Sequence, residues 1–403
     1  MWKKTNETKV MRDVIHGYIH VDLQIIWDLI DTKEFQRLRR IHQLGGDFQV
    51  YHTAEHSRFS HSLGVYEIVR RMVHEIDDLK AYLSTDEKVY VMIAGLLHDI
   101  GHFPFSHAFE SICPISHEEF SSRIILGDSE VNKVLVKVNP KLPEIIASII
   151  SYTHPKAVLN QMISGQLDAD RMDYLLRDAY FTGTSYGAFD LERILRTIRV
   201  KDEKLLVKES GIHSVEDYIM ARYHMYWQVY YHPVCRSYEI ILKKLFERLH
   251  YLYETTPEQI NELKMFIPFL KGPSIADHFY LDESAALYGF SLLSKHEDII
   301  ASDLASRLLN RKLFEYEAIV DEDKVKEVQK KLENHGYDVN YYCIIDTTSQ
   351  SPYKPYGEKK GHVIWVLAQD DTIAELSCKS VIVKSLVNGD IKKERKIFFP
   401  KMG

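Results

Sequence analysis

The chain has 403 residues, enough for one large core and a smaller accessory unit. Its 51 basic against 58 acidic residues leave a formal charge of −7, which argues against a broad nucleic-acid or anionic-membrane surface but leaves room for a small basic pocket. Four widely spaced cysteines form neither a zinc pattern nor a disulfide framework, MWKKTNETKV lacks the apolar stretch of a signal peptide, and the longest nearly apolar run, Val89 to Leu97, is too short to cross a bilayer; a cytoplasmic protein with no membrane partner is expected.

Residues 1–60 read as short helices joined by irregular chain, with Gly45 and Gly46 as breakers. Leu63, Val65, Ile68, Val69 and Met72 recur at helical spacing, and Ser62 predicts the N-cap. Ser84 and Glu87 have the spacing of a capping box. They open a helix over about 85–98 that is apolar almost all round, hence a central core helix, ending near Gly101 and Pro104. Further helices are predicted around 105–111, 115–127, 142–151, 154–164 and 169–180. A hairpin follows over 198–208, turning at Asp202–Glu203, then a long helical region over 215–253 and more helices over 257–307. After about residue 311 a charged helix near 321–334 is flanked by strand-like runs at 340–345, 362–368, 380–387 and 395–399. The expected fold class is mainly α, with a helical core and extension over 1–310 and a small α+β unit over 311–403 suited to oligomerisation or regulation.

The segment LLHDIGHFPFSHAFE, Leu96 to Glu110, carries the chemistry. Adjacent residues on a mid-helix surface point about 100° apart. His98 and Asp99 therefore converge on one ion only at a helix end, which Gly101 and Pro104 supply. His61, ahead of the first long helix, and Asp170, opening another in DADRMDYLLRD, complete a set of two imidazoles and two carboxylates. Such a set suits Mn, Mg, Fe, Zn or Ni better than a structural thiolate site does, and leaves positions open for water and a phosphoryl oxygen. One His–Asp pair alone is more often surface decoration or a local hydrogen bond; the four together predict a hydrolytic metal centre.

The motifs HSRFSHSLGV (56–65), HDIGHFPFSHAFE (98–110), SHEEF (116–120), DADRMDYLLRDAYFTG (168–183) and RYHMYWQVYYHP (222–233) occur in an order and spacing that span roughly residues 10–310. With them the chain resembles the deoxynucleoside triphosphate triphosphohydrolases of the HD superfamily, in the branch that includes the vertebrate SAM-and-HD-domain enzyme and its bacterial relatives; the SAM part has no counterpart here. The resemblance assigns His61, His98, Asp99 and Asp170 as metal ligands. It places His102, Glu110 and His117 in a relay beside the attacking water, and His107 close to the α-phosphate and the leaving oxygen. It also implies that Gln43 and Asp178 recognise a 3′-hydroxyl, and that Leu44 and Tyr230 crowd the sugar so that a 2′-hydroxyl has no room. Two positions depart from the family pattern: Glu110 stands where an aspartate is familiar, and Arg171 where lysine is common.

Arg58, three residues before His61, Arg171, next to Asp170, and Arg222 are suitable phosphate donors. Asp170, Tyr174 and Asp178 are spaced i, i+4, i+8, as are Arg222, Tyr226 and Tyr230, so each trio forms a slanted helical stripe. Packing is the plainer role for at least two of Tyr226, Trp227, Tyr230 and Tyr231. The reaction implied is dNTP + H₂O → deoxynucleoside + inorganic triphosphate, with Mg²⁺ on the triphosphate and His107 or His117 protonating the 5′-oxygen. The resemblance further implies a homotetramer with an allosteric dNTP or GTP between subunits; in the turn-rich segment 351–361, Lys354, Lys359 and Lys360 would suit phosphate at such a site, with a solvated loop as the plainer alternative. Two other readings stand beside it: an HD phosphohydrolase acting on another phosphate ester or signalling nucleotide, and a non-catalytic nucleotide or single-stranded nucleic-acid scaffold.

Overall fold

A computed structural model describes residues 2–110, 112–113, 115–349, 363–389 and 393–402; of His107 and Ser349 the backbone alone is described. Lys354, Lys359 and Lys360 lie outside the described residues.

The N-terminus departs from the expected run of short helices. Strands β1 (Lys4–Asp13) and β2 (Gly17–Leu23) pair antiparallel as a hairpin. The period-two burial of Ile19, Val21 and Leu23 decides this. Short helices do follow, at Gln24–Ile30 and Lys33–Arg37.

Three helices build the scaffold of the site. Arg58–Glu75 begins five residues earlier than an N-cap at Ser62 predicted, with Ser57 at its N-cap, so His61 lies inside its first turns rather than ahead of it. Nothing in Arg58-Phe59-Ser60-His61 breaks a helix, and both Arg58 and His61 have buried sites to fill. Thr85–Leu97 carries the expected capping box at Ser84 and Glu87 and ends on His98. Ala169–Thr182 starts where Asp168 accepts the Arg171 N–H at 2.7 Å. The first helix packs on both of the others. Around them stand His107–Glu110, His117–Leu126, Leu142–Ile150 and Ala157–Ser164, near the predicted places. Glu130–Val138 is an unanticipated helix: Val134, Val136 and Val138 alternate like a strand, but Ser129 caps the Asn132 N–H and only Val131 and Leu135 are buried, one turn apart.

Strands β3 (Ile198–Lys201) and β4 (Lys204–Lys208) form the expected hairpin, with left-handed Asp202 and Glu203 at the turn. The long helical region is interrupted: Ile212–Met225 runs into a π-helical turn, Tyr226–Tyr230, and Pro233 opens a new helix, Pro233–Thr255.

The C-terminal part is α+β, with strands β5 (Glu315–Ala318), β6 (Ile344–Ser349), β7 (Trp365–Leu367), β8 (Ile373–Glu375) and β9 (Lys393–Phe399), and the charged helix at Glu322–Asn334. One sheet has the order β5-β9-β6, antiparallel. The other has the order β3-β4-β7-β8, so β7 adds in parallel to the hairpin of the helical part. Two strand predictions are corrected. Val339–Tyr342 is a helical turn capped by Asp338, ahead of β6, and Val381–Asn388 is a helix, because Ser380 caps the Val383 N–H at 3.0 Å and outweighs the β-branched run. Among the described residues no helix is long and apolar enough to cross a membrane.

Candidate active site

The three scaffold helices deliver one cluster. Ligand atoms of His61, His98 and Asp99 lie within 4.8 Å of one another. Asp170 Oδ1 is 3.1 Å from His61 Nε2 and 3.7 Å from His98 Nε2. Both rings are oriented from behind, His61 Nδ1 at 2.8 Å from Asp173 Oδ2 and His98 Nδ1 at 2.9 Å from the Gly95 carbonyl. With protons on those Nδ1 atoms, each Nε2 turns a lone pair into the cluster, and neither has a hydrogen-bond partner among the described residues. Burial by itself lowers an imidazole pKa. At His61 the carboxylates of Asp170 and Asp173 outweigh it and push the ring up to about 10, and at His98 Asp99 and Asp170 act in the same direction. Asp170, despite its own burial, is held far below the carboxylate range by the two rings. The cluster is therefore built around positive charge, and a divalent cation satisfies the same carboxylates while using the orphaned nitrogens. It is a divalent-metal site of the kind HD domains carry.

Asp99 also belongs to a second group, whose ligand atoms, with those of His102 and His117, lie within 4.8 Å. His102 Nε2 is 3.4 Å from Asp99 Oδ1, and the His102 and His117 rings stack with centroids 3.8 Å apart. Glu110 bonds His117 Nδ1 and accepts the His117 backbone N–H at 3.0 Å, so the longer carboxylate does reach the imidazole. Burial, Arg58 and His117 hold His102 well below the ordinary histidine value, hence neutral. Asp99, His102, His117 and Glu110 thus stand in sequence in space. The side chain of His107 lies outside the described residues.

Arg58 is buried and fans out three ways: Nη1 to Asp99, Nε to Ser106 Oγ at 2.9 Å, and Nη2 to the Gln43 carbonyl at 3.3 Å. Ser106 reaches it through a left-handed pair, Phe105 and Ser106, at φ 58° and 51°. Non-glycine residues rarely adopt this region, and such strain concentrates at functional sites. Gly45 makes room for it, since a Cβ there would stand 2.4 Å from the Phe105 oxygen.

Beside Arg58 is a cavity of about 330 Å³. Gln43, Leu44, Tyr174, Asp178 and Tyr230 line it with Arg58, so six of the eight expected substrate residues share one space. Arg171 and Arg222 do not line it. Arg171 Nη1 is 2.5 Å from Asp168 Oδ2, and Arg222 Nη1 is 3.1 Å from Gln166 Oε1. Tyr230 donates to Asp178 Oδ2 at 2.8 Å. The π-helical turn closes with the Tyr231 N–H on the Tyr226 oxygen at 2.8 Å, an i to i+5 bond that brings Tyr226, Tyr230 and Tyr231 to the same wall. Trp227 does not line the cavity.

The sequence left several neighbours of the site unmarked. His56 Nε2 is 2.8 Å from Asp178 Oδ1, and its ring stacks on Phe181. Asp173 stands behind His61. Asp47, Arg236 and Glu239 continue the cavity wall, and Arg236 pairs at 2.9 Å with Asp346 of β6, tying that wall to the C-terminal sheet. Asp173 had one available signal, the i+3 spacing from Asp170; the others carry no local pattern. Burial pushes the Asp47 carboxyl up to about 7. An unfolded aspartate titrates near ~3.9, so between these values the folded chain binds the extra proton and stability falls as pH rises. Asp47→Asn is expected to remove this decline: its melting temperature relative to wild type should rise from pH 4 to pH 7 and then level off. A difference independent of pH across that window would place the Asp47 carboxyl in water.

The HD domain family pattern matches residues 58–178, which hold both histidine groups, and the HD associated region matches residues 189–265. Fold and site together define a metal-dependent phosphohydrolase, and the chain belongs to the HD-domain family. The uncharacterized protein YwfO of Bacillus subtilis is 46% identical over 99% of this chain and 93% of its own length. A Dictyostelium discoideum protein named as a deoxynucleoside triphosphate triphosphohydrolase SAMHD1 homolog is 30% identical over 81% of this chain and 63% of that protein. The crystal structure of a phosphohydrolase from Bacteroides thetaiotaomicron superposes with a TM-score of 0.86 at 28% identity, covering 98% of this chain and 100% of that one. The chain is thus a distant relative of the SAMHD1-like proteins.

Proposed function

We propose that this chain hydrolyses deoxynucleoside triphosphates to deoxynucleoside and inorganic triphosphate, with His61, His98, Asp99 and Asp170 as the ligands of a divalent ion such as Mn²⁺. The observation that carries the reading is the 330 Å³ cavity, which sets Arg58 beside the cluster and the hydrogen-bonded Asp178–Tyr230 pair and Gln43 further along. A bound divalent ion supplies Lewis acidity and lowers the pKa of water. The chain's own residues do the rest. Arg58 faces the phosphate charge that grows in the transition state. His102, neutral, accepts the proton that the attacking water gives up, and His117, held by Glu110, or His107 gives one to the 5′-oxygen. Asp178 and Gln43 hold the 3′-hydroxyl, while Leu44 and Tyr230 exclude a 2′-hydroxyl. The Asp178 carboxylate, where the 3′-hydroxyl would sit, repels a phosphate at that position, which weighs against signalling nucleotides carrying a 3′-phosphate.

One observation favours the broader reading, hydrolysis of another phosphate ester. Arg171 and Arg222 are engaged with Asp168 and Gln166, off the cavity, so fewer cations face a triphosphate than the motifs led one to expect. Mg²⁺ on the triphosphate compensates for that in the main reading. The same proposal includes a catalytic unit over 1–310, an accessory unit over 311–403, a homotetramer with an activating dNTP or GTP, and a cytoplasmic setting. The test is product identity: full-length protein with Mn²⁺ or Mg²⁺ and each dNTP, with and without GTP or dGTP. Inorganic triphosphate and deoxynucleoside in equal amounts are expected, with ribonucleotides slower by at least about tenfold. Orthophosphate or pyrophosphate would move the chain to the broader reading, and no product under any condition would leave a scaffold.

A further inference from the structure

We propose that Asp173 is a positioning residue of the metal centre and that the N-terminal hairpin turn, through His16 and Asp13, is part of that centre. Asp173 is completely buried behind His61. It accepts from His61 Nδ1 at 2.8 Å, from His16 Nε2 at 2.6 Å, and from Arg177 at 2.8 and 2.9 Å, so both of its oxygens are saturated. Arg177 turns its other edge to Asp13 at 2.9 and 3.2 Å. Asp13 in turn accepts the backbone N–H groups of Ile15 and His16 at 2.8 and 3.0 Å, an Asx-type turn that displays His16 toward Asp173. One turn of β1–β2 therefore presents two side chains to helix 169–182 at the back of the ligand His61.

The partners of Asp173 separate this from an ordinary structural ion pair. Two buried carboxylates, Asp13 and Asp173, share one guanidinium, and Asp173 Oδ2 takes Arg177 and His61 Nδ1 together, so the pair is tied directly to the back of His61. A carboxylate accepting from one ring nitrogen fixes the tautomer and makes the other nitrogen a stronger metal ligand. His61 Nε2 is the nitrogen that faces the cluster. Gly64 gives an independent sign that the arrangement is demanded. It sits mid-helix, three residues after His61, where glycine is a poorer helix former than alanine. A Cβ there would stand 1.9 Å from Asp173 Oδ1 and 2.5 Å from Arg177 Nη2. The helix gives up that propensity so that Asp173 can lie against it.

The inference rests on the ligand role of His61 and not on the choice of substrate, and its test measures metal alone. Full-length wild type, Asp173→Asn and His16→Gln are stripped with EDTA, melted without metal, and titrated with Mn²⁺ by calorimetry. Wild type is expected to bind Mn²⁺, Asp173→Asn to bind about 10–100-fold more weakly, and His16→Gln to shift in the same direction by less. If Asp173→Asn does not fold, His16→Gln decides, because its turn is held by the Asp13 side chain rather than by the His16 ring. Variants that melt cooperatively and bind Mn²⁺ as wild type does overturn the proposal. Wild type that binds no Mn²⁺ overturns the metal centre itself and this proposal with it, and the choice of substrate does not enter the measurement.

Discussion

Asp99→Asn should abolish metal binding and hydrolysis together, with turnover falling by at least about 10²–10³-fold. No other carboxylate of the site meets as many partners. Asp99 bonds Arg58, stands 3.7 Å from His61 Nε2, and stands 3.4 Å from both His98 Nε2 and His102 Nε2. It is the only residue common to both histidine groups found among the described residues. An amide keeps the shape but carries no charge to balance Arg58, and a buried charge left without its partner costs about 3–5 kcal/mol. The variant should therefore also melt at a lower temperature. Bound metal per chain, turnover and thermal melting read the three effects separately. Turnover within tenfold of wild type would remove Asp99 from the reaction centre.

Arg58→Lys should give the complementary result: metal retained, kcat/KM reduced by about 10²–10³-fold. A lysine keeps the charge but offers one compact ammonium where Arg58 now bonds Asp99, Ser106 and the Gln43 carbonyl in three directions. The positive partner of Asp99 survives, so stability should fall less than in Asp99→Asn. The geometry of the phosphate donor does not survive, and the strained Phe105–Ser106 pair loses the bond it is placed to make. Full kcat/KM with lysine at 58 would take the fork out of the chemistry, and loss of the metal would make Arg58 a part of the metal centre instead.

Local features of the fold were legible. The capping box at Ser84, the hairpin turning at Asp202–Glu203 and the helix end at His98 each carry a short-range signature, and the structure has all three. The cluster was legible for the same reason: an adjacent His-Asp pair makes sense only at a helix terminus, and that is where it stands. The N-terminal hairpin was hidden because Ile19, Val21 and Leu23 alternate over too few residues to outvote the polar residues around them. The helix at Val381–Asn388 was misread because three β-branched residues outweighed one capping serine on paper, and the reverse holds in the fold. The parallel pairing of β7 with β4 and the contacts His56–Asp178 and His16–Asp173 join residues more than 120 positions apart, and no periodicity encodes such pairs. The i, i+4, i+8 stripe of Arg222, Tyr226 and Tyr230 was read as a regular helix. The π-helical turn changed which tyrosines reach the cavity, and left Arg222 on Gln166.

The central claim is that His61, His98, Asp99 and Asp170 hold the ion that hydrolysis needs. Its most direct test is metal reconstitution. EDTA-stripped wild type and Asp170→Ala are titrated with Mn²⁺ while bound metal per chain and hydrolysis of a dNTP are followed in the same samples. Wild type should be inactive when stripped and regain activity in proportion to the metal bound, while Asp170→Ala should bind weakly and stay inactive throughout. Full activity in the stripped wild type, or metal binding and turnover in Asp170→Ala equal to wild type, would contradict it.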